Sequence, residues 1–217
     1  MSLVVDASGR DLRSVSAELK QAMATGPVFV HDAAHLHGLI AGLKGGEVTI
    51  GGDGGDYLGA LNDGATIRVQ HNVGRYLADN MTRGTVVVDG DACYGVGAYC
   101  YGGTIVVKGD AGDFTAVMNK GASVIIQGNV GNEVGTYMLA GDLVIVGNAG
   151  KNLGNYLIRG NIYIGGEWES LGHNTLVEEM TPADEAKLRG YFAQYGIEAD
   201  PASFQKIVRK SEKPFYK

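Results

Sequence analysis

The chain repeats one motif, Gly109-Asp110-Ala111-Gly112-Asp113-Phe114-Thr115-Ala116, every 19 residues along its middle. Seven copies follow one another without insertion or deletion, and in nearly all of them the first residue is a glycine followed by Asp or Asn. The first position of the successive copies is held by Gly52, His71, Gly90, Gly109, Gly128, Gly147 and Gly166. Self-similarity at a fixed period of this length indicates a repeat protein in which each copy is one structural unit.

A short alternating segment precedes each copy of the motif. Aliphatic side chains occupy every second position there, as at Ile105 and Val107, and a period of two is typical of a strand with one buried face. The other copies of this pair are Val48 and Ile50, Ile67 and Val69, Val86 and Val88, Val124 and Ile126, Leu143 and Ile145, and Ile162 and Ile164. A strand, a Gly-Asp turn and a second short strand in every copy predict an all-β fold, a right-handed parallel β-helix of about seven coils.

The turn residues carry expectations about backbone conformation. Corner glycines such as Gly109 and Gly128 are expected to have positive φ, which costs glycine nothing. Each following Asp or Asn is expected to stabilise the bend by bonding its own backbone. His71 is interpreted as a residue tolerated in the left-handed region in place of glycine. Identical positions then stack from coil to coil, and the interior is predicted to be a filled rod.

One column of outward-facing positions is apolar in four consecutive copies. Soluble proteins rarely expose such a band. We therefore expect cover from the C-terminal segment around Phe204 and Val208 or from a partner protein, with at least part of the cover supplied by a partner. The column comprises Val87, Val106, Ile125 and Val144.

Helical patterns flank the repeat on both sides. Residues 8–24 place apolar side chains at helical spacing, with Ser8 and Asp11 as a capping box. A second helix is predicted to begin at Thr181-Pro182 and to run to about Tyr195. These helices are expected to cap the two ends of the rod.

The repeat and its flanks predict three regions. Residues 1–45 are an N-terminal cap made of a helix and a lead-in strand, residues 46–175 are the β-helix, and residues 176–217 are a C-terminal capping helix and tail. The tail is basic and ends at Lys217, and it is expected to dock on the rod or on another subunit.

Composition excludes several classes of function. The 217 residues are 45% hydrophobic and include 35 Gly against 4 Pro, which is too apolar for a disordered low-complexity chain. A formal charge of −6 without a basic stripe argues against nucleic acid as a partner. No apolar run is long enough for a transmembrane helix, and the start lacks a signal-peptide pattern, so the chain is expected to be cytoplasmic.

Glycine-rich stretches suggest nucleotide binding, but their spacing does not fit. Gly52-Asp53-Gly54-Gly55-Asp56-Tyr57 lacks the third glycine of the dinucleotide fingerprint, and no helix is predicted after it. Gly147-Asn148-Ala149-Gly150-Lys151-Asn152 lacks the spacing and the hydroxyl of a P-loop. The repeat itself accounts for both stretches.

Histidine supplies the only ligand-like cluster. His31, Asp32, His35 and His37 lie close in sequence, but this spacing does not place them on one face of a helix or strand, as a zinc site of three or four ligands requires. An interfacial loop before the first coil is the favoured interpretation, and any role of these histidines is left open.

Nucleophilic and acid–base chemistry is also poorly supported. Cys93 and Cys100 are the two cysteines, and because neither has a sequence-near His or Lys, packed thiols are expected. Asp53, Asp91 and Asp110 belong to the turn column, where a structural role explains them. We therefore assign no catalytic, cofactor-binding or metal-binding residue to the chain.

The columns of the motif resemble the GXGXG β-helix family, found at the C-terminal end of the large subunit of glutamate synthase. Similar free-standing chains are the small β-helix subunit of methylamine–glutamate N-methyltransferase (N-methylglutamate synthase) and the β-helix subunit of formylmethanofuran dehydrogenase. The resemblance covers residues 46–166 best. The layout, with a helix before and a helix after the repeat, looks most like the N-methylglutamate synthase subunit.

This resemblance implies a non-catalytic scaffold. The implied partners are a glutamine-amidotransferase-like subunit and a synthase subunit that holds FMN and an iron–sulfur cluster, with ammonia or an amine passing between them. A scaffold of a formylmethanofuran dehydrogenase complex is the alternative, and a free-standing β-helix hydrolase or acyltransferase is a distant third.

Overall fold

The alternating segments form strands in a computed structural model, which describes residues 2–213. The strands are β1 (Leu3–Asp6), β2 (Val28–His31), β3 (Glu47–Ile50), β4 (Asp63–Val69), β5 (Arg83–Val88), β6 (Thr104–Val107), β7 (Lys120–Ile126), β8 (Ala140–Ile145), β9 (Asn161–Ile164), β10 (Thr175–Glu178) and β11 (Gln205–Arg209). The α-helices are α1 (Leu12–Met23) and α2 (Pro182–Tyr195), and Pro201–Ser203 form a 3₁₀ turn. Strands β1 to β9 pair in chain order and in parallel, which confirms the predicted parallel solenoid of about seven turns.

Each 19-residue repeat of the sequence forms one coil of the solenoid. Val87 pairs with Val106, and Val106 with Ile125, so each position meets its counterpart in the next copy. A second parallel ladder of single bridges follows each Gly-Asp turn, as between Ala92 and Ala111. A slip of one residue would move every inner side chain to the outer face, so the alternation fixes this register.

Stacking starts before the first copy of the motif. Val28 of β2 pairs with Val48 of β3, and the segment between these strands is wound like a coil. The Gly38 N–H donates to the Asp56 carbonyl at 2.7 Å, and the Gly42 N–H donates to the Ala60 carbonyl at 2.8 Å. The segment from Asp32 to Gly46 is a loop without strand or helix, as interpreted from the sequence, and its backbone stacks on the first copy of the motif.

The core is a set of stacked columns. The inner positions of every strand from β3 to β9 are buried, and so are loop residues such as Leu58, Leu77 and Val96. Val15 and Leu19 of α1 join the same apolar cluster and close its first end. Fully burying each such side chain stabilises the fold by about 1.5–3 kcal/mol relative to leaving it exposed.

The two helices begin at polar caps. Asp11 accepts hydrogen bonds from the N–H groups of Arg13 and Ser14, so it is the N-cap of α1. Ser8 bonds to Asp6 instead, and the expected capping box with Ser8 is wrong. A capping box is present at α2, where Thr181 and Asp184 satisfy each other's backbone N–H groups.

Helix α2 lies along the outer face of the sheet, whereas the sequence predicts it at the end of the rod. Leu188 and Phe192 of α2 pack on the apolar outer column together with Phe204. Lys187 Nζ also pairs with the Asp142 carboxylate at 3.0 Å. The buried part of the column comprises Val106, Ile125, Val144 and Tyr163. The chain itself thus covers these residues, which confirms the expected cover by the segment around Phe204. Val87, at the start of the column, is only partly buried, and the share of a partner in covering the column stays a prediction.

The last coil is closed by an antiparallel strand. Strand β11 pairs with β9 and, on its other side, with β10, both in antiparallel fashion. This part of the predicted basic tail therefore docks on the rod, and Lys217 lies outside the described residues.

From the third copy of the motif onward, glycine at the first position is required by close approach rather than by φ. Gly109 and Gly128 do not have positive φ, and neither does His71, so these three expectations are wrong. A Cβ at Gly109 would lie 2.8 Å from the Gly90 carbonyl oxygen and would overlap the Asp91 carboxylate. The stacking of backbone directly on backbone leaves no room for a side chain.

Left-handed residues occur instead in the loop that follows. In one coil Phe114, Ala116 and Met118 have φ of 57°, 58° and 51°, and the equivalent positions of the other coils behave alike. Many non-glycine residues of the described chain have positive φ. They can do so because hydrogen bonds to both neighbouring coils hold the loop in place. The sequence pattern does not reveal this, since alanine and aromatic residues seldom adopt positive φ.

Candidate functional site

The Asp and Asn column after the corner glycines forms a ladder between coils. Asp91 Oδ1 accepts the Asp110 N–H at 2.8 Å, and Asp110 Oδ1 accepts the Asn129 N–H at 2.6 Å. The expected bond to each residue's own backbone is replaced by a bond to the next coil. In the same way, the Asp53 side chain accepts the Asn72 N–H, and the Asn148 side chain accepts the Glu167 N–H. A structural role thus accounts for these carboxylates.

The histidines near the start take separate places. His37 Nδ1 accepts the Asp56 N–H at 3.0 Å, as an Asp or Asn side chain does in a parallel ladder such as Asp113 to Asn132. His35 Nε2 lies 3.0 Å from the Arg10 carbonyl oxygen, and the His31 ring packs on that of Phe29. Across residues 2–213, no group of three or more His, Cys, Asp or Glu side chains could hold a metal ion.

The glycine-rich stretches use their amides within the rod. The Gly54 N–H donates to the Asn72 carbonyl, and the Tyr57 N–H donates to the Arg75 carbonyl at 2.7 Å. Gly150 N–H donates likewise to the Gly131 carbonyl at 3.0 Å. A phosphate site needs free amides that converge, and these amides are engaged in the stacking of coils.

The two cysteines have different surroundings. Cys100 is buried, and its Sγ donates to the Ala78 carbonyl at 3.0 Å. Burial raises the pKa of this thiol to about 12, so it stays protonated at neutral pH. Cys93 is exposed, and the expectation that both thiols are packed is wrong for this residue.

A polar network fixes the start of α2 to the last coils. Tyr163 Oη donates to Asp184 Oδ1 at 2.7 Å, and Lys206 Nζ donates to Asp184 Oδ2 at 3.2 Å. Burial alone would raise the pKa of the Asp184 carboxyl, but hydrogen bonds from Thr181, Tyr163 and Lys206 outweigh it and hold the pKa well below its usual range. This site is a clamp between the helix and the rod.

The left-handed loops carry the exposed aromatic residues of the rod. The Tyr57 and Tyr76 rings stack at 4.9 Å, and those of Tyr76 and Tyr94 meet edge-on at 5.2 Å. In the same region Lys120 Nζ lies 4.0 Å from the ring centroid of Tyr101 and 5.8 Å from that of Tyr99. The exposed tyrosines of these loops, together with the exposed Leu61, define what we call the tyrosine face: Tyr57, Leu61, Tyr94, Tyr99 and Tyr101.

The coil that supplies most of the tyrosine face carries no charged residue of its own, although Lys120 of the next coil donates to the Tyr101 hydroxyl at 2.9 Å. Between Asp91 and Lys108 the chain has no charged residue, and this coil supplies three of the exposed tyrosines. The sequence patterns single out no residue of this face. The 19-residue spacing of Tyr57 and Tyr76 is a signal that could have found it, because equal positions stack.

Comparison with protein families gives one match. The family model of the GXGXG motif matches residues 41–214. The match begins in the loop before β3 and includes every copy of the motif. No curated protein matches the chain. Within residues 2–213, no helix is long and apolar enough to cross a membrane. The family is associated with glutamate synthase-like proteins. Since the match extends over most of the sequence and over the repeat that builds the rod, the chain belongs to the GXGXG motif family.

Proposed function

We propose that this chain is a structural subunit of a glutamate synthase-like complex, most specifically of N-methylglutamate synthase. In this proposal it joins a glutamine-amidotransferase-like subunit to a synthase subunit that binds FMN and an iron–sulfur cluster. The match of the GXGXG family over residues 41–214 is the observation that carries the proposal. The family is associated with glutamate synthase-like proteins, and the specific complex is our inference.

The interior of the rod favours a structural role over a catalytic one. Inner columns such as Ile105, Val124 and Leu143 are buried and apolar, whereas a cofactor site needs a concave space with a few convergent polar groups. The Asp and Asn residues of the corners are engaged in bonds between coils, as at Asp91 and Asp110. The chemistry of the complex is therefore assigned to the partner subunits.

Co-purification tests this proposal. The chain would be tagged and co-expressed with an amidotransferase-like subunit and an FMN-binding synthase subunit encoded beside it. We expect one complex that contains all three chains, with flavin and iron present in the complex and absent from the tagged chain purified alone. Stoichiometric flavin on the isolated chain, or purification of the chain without either subunit, would contradict the proposal.

A further inference from the structure

We infer that helix α2 is a strap that lifts off the rod while the coils stay folded. Its first turn stays in place and its far end lifts, which uncovers the apolar outer column of the sheet. The column is thus exposed or hidden according to the position of α2. The inference concerns this chain alone and goes beyond the proposed function, on which it does not depend.

The two ends of the strap are held together without any help from α2. Strand β10 precedes the helix and β11 follows it, and these strands pair with each other, with Glu178 opposite Lys206. Strand β11 also pairs with β9 of the last coil. Residues 179–204 therefore form an excursion whose two ends lie side by side on the sheet. Such an excursion can leave the surface without breaking a strand pair.

The apolar contacts of α2 are separate from the core of the rod. Leu188 and Phe192 belong to a small cluster that contains the buried outer column, whereas the inner columns and α1 form the main cluster. Ile125 and Ile126 show the division, because both are fully buried neighbours but only Ile126 belongs to the main cluster. Lifting α2 thus uncovers Ile125 and leaves the packing of the inner columns intact.

Hydrogen bonds show which end of the strap is fixed. The bond that Tyr163 of β9 donates to Asp184 is buried, and Lys206 of β11 donates a second bond at 3.2 Å. Later turns reach earlier strands, since Lys187 donates to Asp142 of β8 and the Tyr191 hydroxyl bonds to Ser123 of β7. Lys187 is exposed, and water screens an ion pair with an exposed member. The first turn is therefore the fixed end, and the end over β7 is the one that lifts.

The helix is also weakly held for its length. Of the 14 residues of α2, only Asp184, Leu188 and Phe192 are buried. Gly190 lies inside the helix, and a Cβ there would meet nothing within 4 Å, so no contact requires a glycine that destabilises the helix relative to alanine. Isolated helices shorter than about 12–15 residues are marginal in water. The part of α2 that lifts should therefore melt, and few apolar contacts oppose its opening.

Thiol labelling of two neighbouring positions tests the opening. Cys93 is exposed and is first replaced by Ser, while the buried Cys100 of the rod remains as an internal control. Ile125→Cys places a thiol under α2, and Ile126→Cys places the same thiol in the inner column. In the folded chain we expect the thiol at position 125 to react roughly tenfold faster, or more, than Cys100 or the thiol at position 126. Equal rates would overturn the inference, because the outer column would then be uncovered only when the rod unfolds.

Hydrogen exchange tests the same opening without introduced cysteines. Leu188→Ala removes a buried contact of α2 and should speed the exchange of the α2 amides severalfold, while the amides of β6 and β7 exchange as in the wild type. Gly190→Ala strengthens the helix and should slow the α2 amides alone. If Leu188→Ala speeds the amides of α2 and of the rod by the same factor, the helix opens only together with the coils, and the inference fails.

Discussion

Asp110, nineteen residues after Asp91, donates its backbone N–H to the Asp91 carboxylate at 2.8 Å. Each side chain of this column thus holds the backbone of the next coil, and neutral Asn serves as well as Asp, as at Asn129 and Asn148. The interaction explains why the motif accepts Asp or Asn after its glycine. It depends on the side-chain oxygen and not on the charge.

Substitutions at Asp110 separate these two properties. Asp110→Asn keeps the acceptor, and we expect the free energy of unfolding to stay close to that of the wild type. Asp110→Ala leaves the Asn129 N–H without its partner and should lower the free energy of unfolding by about 0.5–1.5 kcal/mol. Urea unfolding followed by circular dichroism measures both, and equal stability of the Asn and Ala variants would show that the ladder contributes nothing.

Corner glycines can be tested with a matched pair in one column. Gly109→Ala forces a Cβ onto Gly90 and Asp91 and should destabilise the chain by about 1–3 kcal/mol. Gly52 has open space around the same position and no positive φ, so Gly52→Ala should leave stability unchanged or raise it by about 0.4–1 kcal/mol. Thermal melting compares them, and equal losses at both sites would refute the explanation by close approach.

Lysine in the covered outer column should unfold part of the monomer. The sequence alone suggests that Val106→Lys/Ile125→Lys leaves the chain folded and weakens assembly only. Because α2 and the segment after it bury both residues completely, two buried charges should instead cost several kcal/mol and release α2. Limited proteolysis between β10 and α2 reports this release. Wild-type resistance to the protease would show that the helix does not depend on this contact.

The clamp at Asp184 predicts a dependence on pH. Its folded pKa lies below the usual value of 3.8, so its stabilising contribution is complete above about pH 5 and is lost as the pH falls toward the folded pKa. Asp184→Asn should be less stable than the wild type at pH 7, and the difference should shrink between pH 5 and pH 3. Urea unfolding across this range measures it, and parallel curves for the two proteins would contradict the assignment.

The repeat made the stacked strands predictable from the sequence. The position of helix α2 on the rod was not predictable in this way. Regular spacing of Ile105, Val124 and their counterparts specifies stacked strands, because one buried column repeats in every coil. Phe192 and Ile125 are far apart in the sequence, and no local pattern indicates that α2 packs back along the sheet. The position of a covering helix depends on tertiary packing, which local patterns do not encode.

Local rules also explain what was missed in the turns. Glycine is usually assigned to positive φ, yet at Gly109 it is required by the adjacent backbone of the previous coil. Conversely, Ala116 adopts φ 58°, against its own preference, because hydrogen bonds to neighbouring coils hold the loop. The tyrosine face was missed for a similar reason, since it forms only when separate coils bring their loops together.

We propose that the chain joins catalytic subunits without performing chemistry itself, and reconstituted turnover tests this role most directly. Glutamine-dependent amine transfer would be measured with the amidotransferase-like and FMN-binding subunits, with and without this chain. The account predicts that transfer coupled to glutamine hydrolysis appears only when the chain is present, while each partner keeps its separate half-reaction without it. Full coupled turnover by the two partners alone would contradict the claim.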